Sequence, residues 1–153
     1  DFVVVIDTSM SCSGDLVRCF LEETYDVLCQ SDSYFKKTNI HIIQCDEQVQ
    51  QDRLITNQEE MEAYMRDFTI IGQGGTDFRP AFEYVNGLIR QGAFRRLKGL
   101  LYFTDGEGIY PVKRPVYDTA FVFLKDQYTD ISVPAWAMKL ILEPEQLLEN
   151  SGG

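Results

Sequence analysis

The stretch that most restricts this chain is Phe2 to Ser13, F-V-V-V-I-D-T-S-M-S-C-S. Val3, Val4, Val5 and Ile6 offer no polar face to water, so the segment reads as a strand covered on both sides, the usual state of a central parallel strand. Asp7, Ser9 and Ser11 follow at alternate positions, a carboxylate and two hydroxyls where the strand ends. A hard divalent cation prefers oxygen ligands of this mixed kind. The same residues also suit a plainer role, with Ser11 or Ser13 capping the next helix and Asp7 facing its positive end. Both readings stay open on this stretch alone.

Further along, apolar residues recur at helical spacing from Leu16 to Leu28, predicting an amphipathic helix of about four turns. Asn39 to Cys45 is β-branched and predicts a second strand, with a turn at Asp46 and Glu47. Gln48 to Ile55 is polar and loosely alternating, as an edge strand would be. Asn57 caps a predicted helix through Met61, Tyr64, Met65 and Phe68. Gly72, Gly74 and Gly75 then form a turn before a helix that Thr76 or Asp77 is placed to cap, with Pro80 in its first turn. Gly99 to Thr104, Ala120 to Leu124 and Ala135 to Leu142 predict three more strands, and the stretch from Glu143 to the end could hold a short helix.

Strands alternating with helices indicate an α/β fold: an open, mostly parallel, doubly wound sheet of about six strands, one antiparallel edge strand and helices on both faces. Ligands of such sheets bind beyond the carboxyl ends of the strands, where the strand order reverses. Asp7 and Asp105 each end a buried strand, and the glycine-rich Thr76 loop lies between them in sequence. If the two strands are neighbours, the three loops meet at one crevice.

With 153 residues the chain is expected to form a single domain over 1–153, cut from a longer protein because it opens inside a strand without a Met. A formal charge of −10 argues against nucleic acid or an anionic membrane, whose phosphates require clustered Lys and Arg. Cys12, Cys19, Cys29 and Cys45 have no C-x-x-C spacing, so free buried thiols and a cytoplasmic setting are expected. His41, the sole histidine, stands between Ile40 and Ile42, where a structural role is expected over catalysis. H-E-x-x-H and G-x-S-x-G are both lacking, and G-Q-G-G-T has no P-loop Lys.

D-T-S-M-S, then G-G-T-D, then F-T-D-G, in that order, resemble the metal-ion-dependent adhesion site (MIDAS) of von Willebrand factor A (VWA) domains, whose pattern is D-x-S-x-S with a distant Thr and a distant Asp. The resemblance extends over nearly the whole chain in element order. In detail it is closest to the VWA-like domain at the C-terminal end of a group of bacterial metallopeptidase-like proteins. It implies that Ser9 and Ser11 bind Mg2+ (or Mn2+ or Ca2+) directly, with Thr76, Asp7 and Asp105 binding directly or through water. Asp77 and Glu107, beside these ligands, are expected as outer hydrogen-bond acceptors, helix caps or partner contacts. The implied function is recognition of a partner protein's carboxylate through the cation. Candidate partners are a MoxR-type AAA+ ATPase or a peptidase-like domain of the same protein. Met10 stands where many relatives have Gly, and Cys12 adds a thiol to the loop.

Two other classes compete. A magnesium-dependent phosphohydrolase of the haloacid dehalogenase type also ends its first strand on Asp, but it needs a second Asp two residues later as proton carrier. That position is Ser9 here, so no catalytic constellation is expected in the domain. The other competitor is a metal-free scaffold whose partner surface lies elsewhere.

Overall fold

The computed structural model describes residues 1–9, 17–24, 39–72, 74–94 and 96–143. Six strands form one sheet: β1 (Phe2–Asp7), β2 (Ile40–Cys45), β3 (Val49–Ile55), β4 (Gly99–Phe103), β5 (Asp118–Leu124) and β6 (Met138–Leu142), in the spatial order β3-β2-β1-β4-β5-β6. β1 pairs parallel with β2 on one side and β4 on the other, and β5 and β6 continue the parallel half. β3 runs antiparallel to β2 at the edge. The chain therefore winds outward in one direction from β1 and in the other from β4. The reversal falls between β1 and β4, the two strands that end at Asp7 and Phe103.

Side chains alternate across β1 and divide the interior in two. Val4 and Ile6 pack with Val17, Phe20 and Leu21 of helix α1 (residues 17–24) and with Met61, Tyr64 and Met65 of α2 (Gln58–Arg66). Val3 and Val5 point the other way, onto Ala81, Phe82 and Val85 of α3 (Arg79–Arg90). Both faces of the central strand are thus dry, which is why its sequence shows no alternation. The expected doubly wound sheet is the one observed. Of the described cysteines, Cys19 and Cys45 are free thiols.

Local signals account for much of the detail. Asn57 caps α2 by accepting from the Glu60 N–H at 2.8 Å, and the Glu60 carboxylate reaches back to the Thr56 hydroxyl at 2.6 Å. His41 is structural: its Nδ1 meets Asp52 at 2.9 Å, and its ring stands edge-on to Phe94. Two boundaries differ from expectation. The last strand begins at Met138, not Ala135, because the Ala137 N–H turns back to the Pro134 carbonyl at 3.1 Å and only Met138 onward pairs with β5. At α3 the N-cap position falls on Phe78, which has no side-chain cap of its own, while the Asp77 carboxylate one residue earlier accepts the Arg79 backbone N–H at 3.0 Å. Of the helix expected from Leu16 to Leu28, residues 17–24 are described and helical, and the remainder, like the short helix expected after Glu143, lies outside the described residues.

Candidate metal centre

The β1 and β4 ends are adjacent, and the loop before α3 folds over them. Asp7, only 1% exposed, accepts from the Ser9 backbone N–H at 3.0 Å and from the Ser9 hydroxyl through Oδ1. Its Oδ2 accepts from the Thr104 hydroxyl at 2.6 Å. The Ser9 and Thr76 hydroxyls are in direct contact although 67 residues separate them in the chain. Asp7, Ser9 and Thr76 are therefore brought together, with Thr104 as an additional neighbour outside the predicted ligand set.

Asp105 follows Thr104 directly. Its carboxylate accepts from the Glu107 N–H at 3.0 Å, and its carbonyl takes the Thr129 N–H at 2.8 Å, so its backbone is pinned at the edge of the same corner. Gly106 lies at φ +85, and a Cβ there would fall 1.9 Å from the Thr129 carbonyl oxygen, so the turn requires glycine. Ser11 lies outside the described residues. Asp77 faces Arg79, which donates through Nε at 2.9 Å and Nη2 at 2.8 Å, and these bonds hold its carboxyl below the ordinary value. Glu107 contributes its backbone N–H to the corner, while its residue is exposed.

What holds Thr76 in place is aromatic packing two residues on. The Phe78 ring is fully buried, edge-on to Tyr102 at 5.0 Å and Tyr110 at 4.7 Å. Its N–H bonds the Ile109 carbonyl at 3.0 Å, tying the Thr76 loop to the loop after Asp105. The two loops approach so closely at Gly108 that a Cβ there would lie 2.7 Å from both the Phe78 ring and the Thr76 methyl.

A second buried aspartate organises the other side. Asp46, 4% exposed, accepts from the Gln48 N–H at 3.0 Å, the Gln50 amide at 3.0 Å and the Gly74 N–H at 2.9 Å. Burial works against its charge, but those donors outweigh it and hold the carboxyl below the usual range. For Asp7 the balance goes the other way. Burial pushes its carboxyl up, hydrogen bonds from Ser9 and Thr104 only partly offset this, and the Asp105 charge adds to the rise.

The donors that converge are all oxygens, a carboxylate and hydroxyls from separate loops, and Asp7 is short of positive charge. This set fits a hard cation such as Mg2+ and offers nothing soft for zinc or copper. Among the described residues no cluster of three or more His, Cys, Asp or Glu side chains forms, so the corner depends on hydroxyls.

A family model described as a VWA-like domain (DUF2201) matches residues 2–143. Among solved structures, proximal thread matrix protein 1 (PTMP1) from the mussel byssus superposes with a TM-score of 0.70 at 13% identity, over 96% of this chain and 44% of that one. The chain thus spans less than half the length of PTMP1. The SpRpn10 VWA domain superposes with a TM-score of 0.58 at 10% identity, over 97% of this chain and 93% of that one. At these identities the likeness is one of fold. No curated protein sequence matches.

Proposed function

The chain belongs to the VWA-like (DUF2201) family, and from that premise we propose that it is a protein-binding module that recognises a partner carboxylate through a divalent cation. VWA domains commonly mediate protein–protein contacts, and no helix among the described residues is long and apolar enough to cross a membrane. The observation that carries the proposal is the meeting of the Ser9 and Thr76 hydroxyls beside the buried Asp7 carboxylate.

Asp7, Ser9 and Thr76 would hold the ion, with Asp105 at the edge and Ser11 as the further ligand implied by the D-x-S-x-S pattern. When bound, Mg2+ or a similar cation supplies a coordination position that an oxygen from another molecule can fill. The chain's own part is to keep that position electrophilic. Neutral hydroxyls from Ser9 and Thr76 cancel little of the positive charge, while Asp7 is oriented by Thr104 from beneath. Asp77 is taken up by Arg79 and does not compete for the ion. Ser9 occupies the place where a phosphohydrolase needs an acid, so we read the domain as binding a partner without catalysis. A MoxR-type AAA+ ATPase or a peptidase-like domain of the same protein is the candidate partner that the family resemblance offers.

The test is thermal. Titrating Mg2+ or Mn2+ into chelator-treated protein should raise its melting temperature by mass action, and Asp7→Ala should abolish the rise. An unchanged melting temperature in the wild type defeats the metal reading.

A further inference from the structure

The two chain segments that leave this corner frame a groove whose charge is opposite to that of the whole chain. A groove of about 470 Å3 runs between α3 and residues 111–116, the segments that follow Thr76 and Asp105 respectively. Four of the chain's 14 Lys and Arg residues line it, Arg79, Arg90, Lys113 and Arg114, against a single acid, Glu83, from a chain with 24. Arg79 is already paired with Asp77. Among the described residues, Arg90, Lys113 and Arg114 make no ion pair. Three unpaired cations in one groove of a protein of net charge −10 are the reverse of what its composition would place there.

The groove also has an apolar side. Val112 is 97% exposed and Val116 90% exposed, both on its rim, and Phe82 and Ile89 form part of the wall. Pro111 and Pro115 frame the rim segment with fixed φ angles, so less chain entropy is lost when something binds against it. On α3 the lining positions Arg79, Phe82, Asn86 and Arg90 lie on one helix face, from the end near Thr76 to the far end. That run is roughly 16 Å at 1.5 Å per residue. An extended peptide covers it in about five residues.

We propose that this groove receives an acidic, extended segment of the protein partner, one that alternates carboxylates with apolar side chains and begins at the residue whose carboxylate reaches the Ser9 and Thr76 corner. The proposal rests on the metal-dependent reading above and adds what the rest of the bound segment looks like. Carboxylates along the segment meet Arg90, Lys113 and Arg114, and its apolar side chains cover Val112 and Val116. Three cations do not suffice for a nucleic-acid backbone against the repulsion of the remaining acidic surface.

The probe is a fluorescein-labelled hexapeptide of alternating Glu and Leu, followed by anisotropy with Mg2+ and with chelator. The expected result is binding that weakens about tenfold in Arg90→Glu/Lys113→Glu and in the loop-only variant Lys113→Glu/Arg114→Glu, and that weakens with added salt. All these positions are exposed, and the melting temperatures of the variants should match the wild type. A Lys-Leu hexapeptide should not bind. The proposal is overturned if the acidic peptide does not bind at about 1 mM, if both variants keep its affinity within about twofold, or if a single-stranded oligonucleotide binds more tightly. Ser9→Ala separates the two readings. Binding that ignores Mg2+ and Ser9→Ala but responds to the groove variants sinks the metal reading and leaves the groove. The opposite pattern sinks the groove alone.

Discussion

Asp7 and Asp46 stand at the carboxyl ends of neighbouring strands, both nearly inaccessible to water, yet they are held in opposite ways. Asp46 receives two backbone N–H groups and a side-chain amide, donors with no acceptor role at those atoms. Asp7 receives one backbone N–H and two hydroxyls, and one of those hydroxyls, that of Ser9, also meets Thr76. Hydroxyls accept as well as donate, so they can turn their lone pairs to a cation. Fixed N–H groups cannot. One aspartate is complete as it stands and shapes the glycine loop; the other, on the proposed reading, would be completed by an ion.

The sharpest way to break this contrast is to remove each carboxylate. Asp46→Ala leaves three donors without an acceptor and should cost about 2–4 kcal/mol in urea unfolding, equally with chelator and with Mg2+. Asp7→Asn should cost less than about 1 kcal/mol in chelator, because burial disfavours the charge it removes and Thr104 can accept from the new amide. It should nevertheless lose all stabilisation by Mg2+. If Asp7→Asn proves the more damaging in chelator, the contrast is wrong.

Next in size is Gly108→Ala. The added Cβ forces the Phe78 ring and Thr76 apart, so we expect a cost of about 1–3 kcal/mol and a Mg2+ response that weakens together with it. A variant that loses stability but responds normally to Mg2+ would show that Thr76 is not part of the site.

Asp52 supplies the smallest test, as an aspartate completed by side chains. Burial opposes its charge, but His41 and Tyr84 outweigh that and hold its carboxyl below the ordinary value. A folded-state value below the unfolded one, about 3.9, means that the contribution is complete above that pH and is lost as the pH falls through the folded-state value. Asp52→Asn should therefore narrow the difference in stability between about pH 6 and about pH 3, by less than about 1 kcal/mol, and should leave Mg2+ binding unchanged.

The parts legible in the sequence are those fixed by local pattern. Val3 to Ile6 announce a strand dry on both faces, Asn57 announces its helix, and the polar run from Gln48 announces an edge. The meeting of Asp7, Ser9 and Thr76 is legible because Asp7 and Ser9 close a buried strand and Thr76 leads into a helix, the positions that a doubly wound sheet gathers at one end. Asp46 was not, since its meaning depends on a hydrogen bond to Gly74, 28 residues away, and in isolation it looks like any turn acid. Thr104 is hard to read because it directly follows the buried strand β4 and its hydroxyl partner lies 97 positions back. Ala135 and Trp136 looked like strand because they are apolar, whereas they sit in the turn that precedes β6. The basic groove has no signature in the sequence, because Arg79, Arg90, Lys113 and Arg114 are dispersed through a chain whose total charge points the other way.

The most direct test of the central claim uses Mn2+ as a paramagnetic probe in place of Mg2+. Substoichiometric Mn2+ should broaden the backbone amide resonances of Thr8 and Ser9, of Gly75 to Asp77 and of Asp105 to Glu107 first, and those at the far end of α3 around Arg90 last. The same titration of Ser9→Ala should show no such selectivity. Uniform broadening in the wild type, or broadening centred away from these three loops, would contradict the assignment of the Asp7, Ser9 and Thr76 corner as the place where the cation binds.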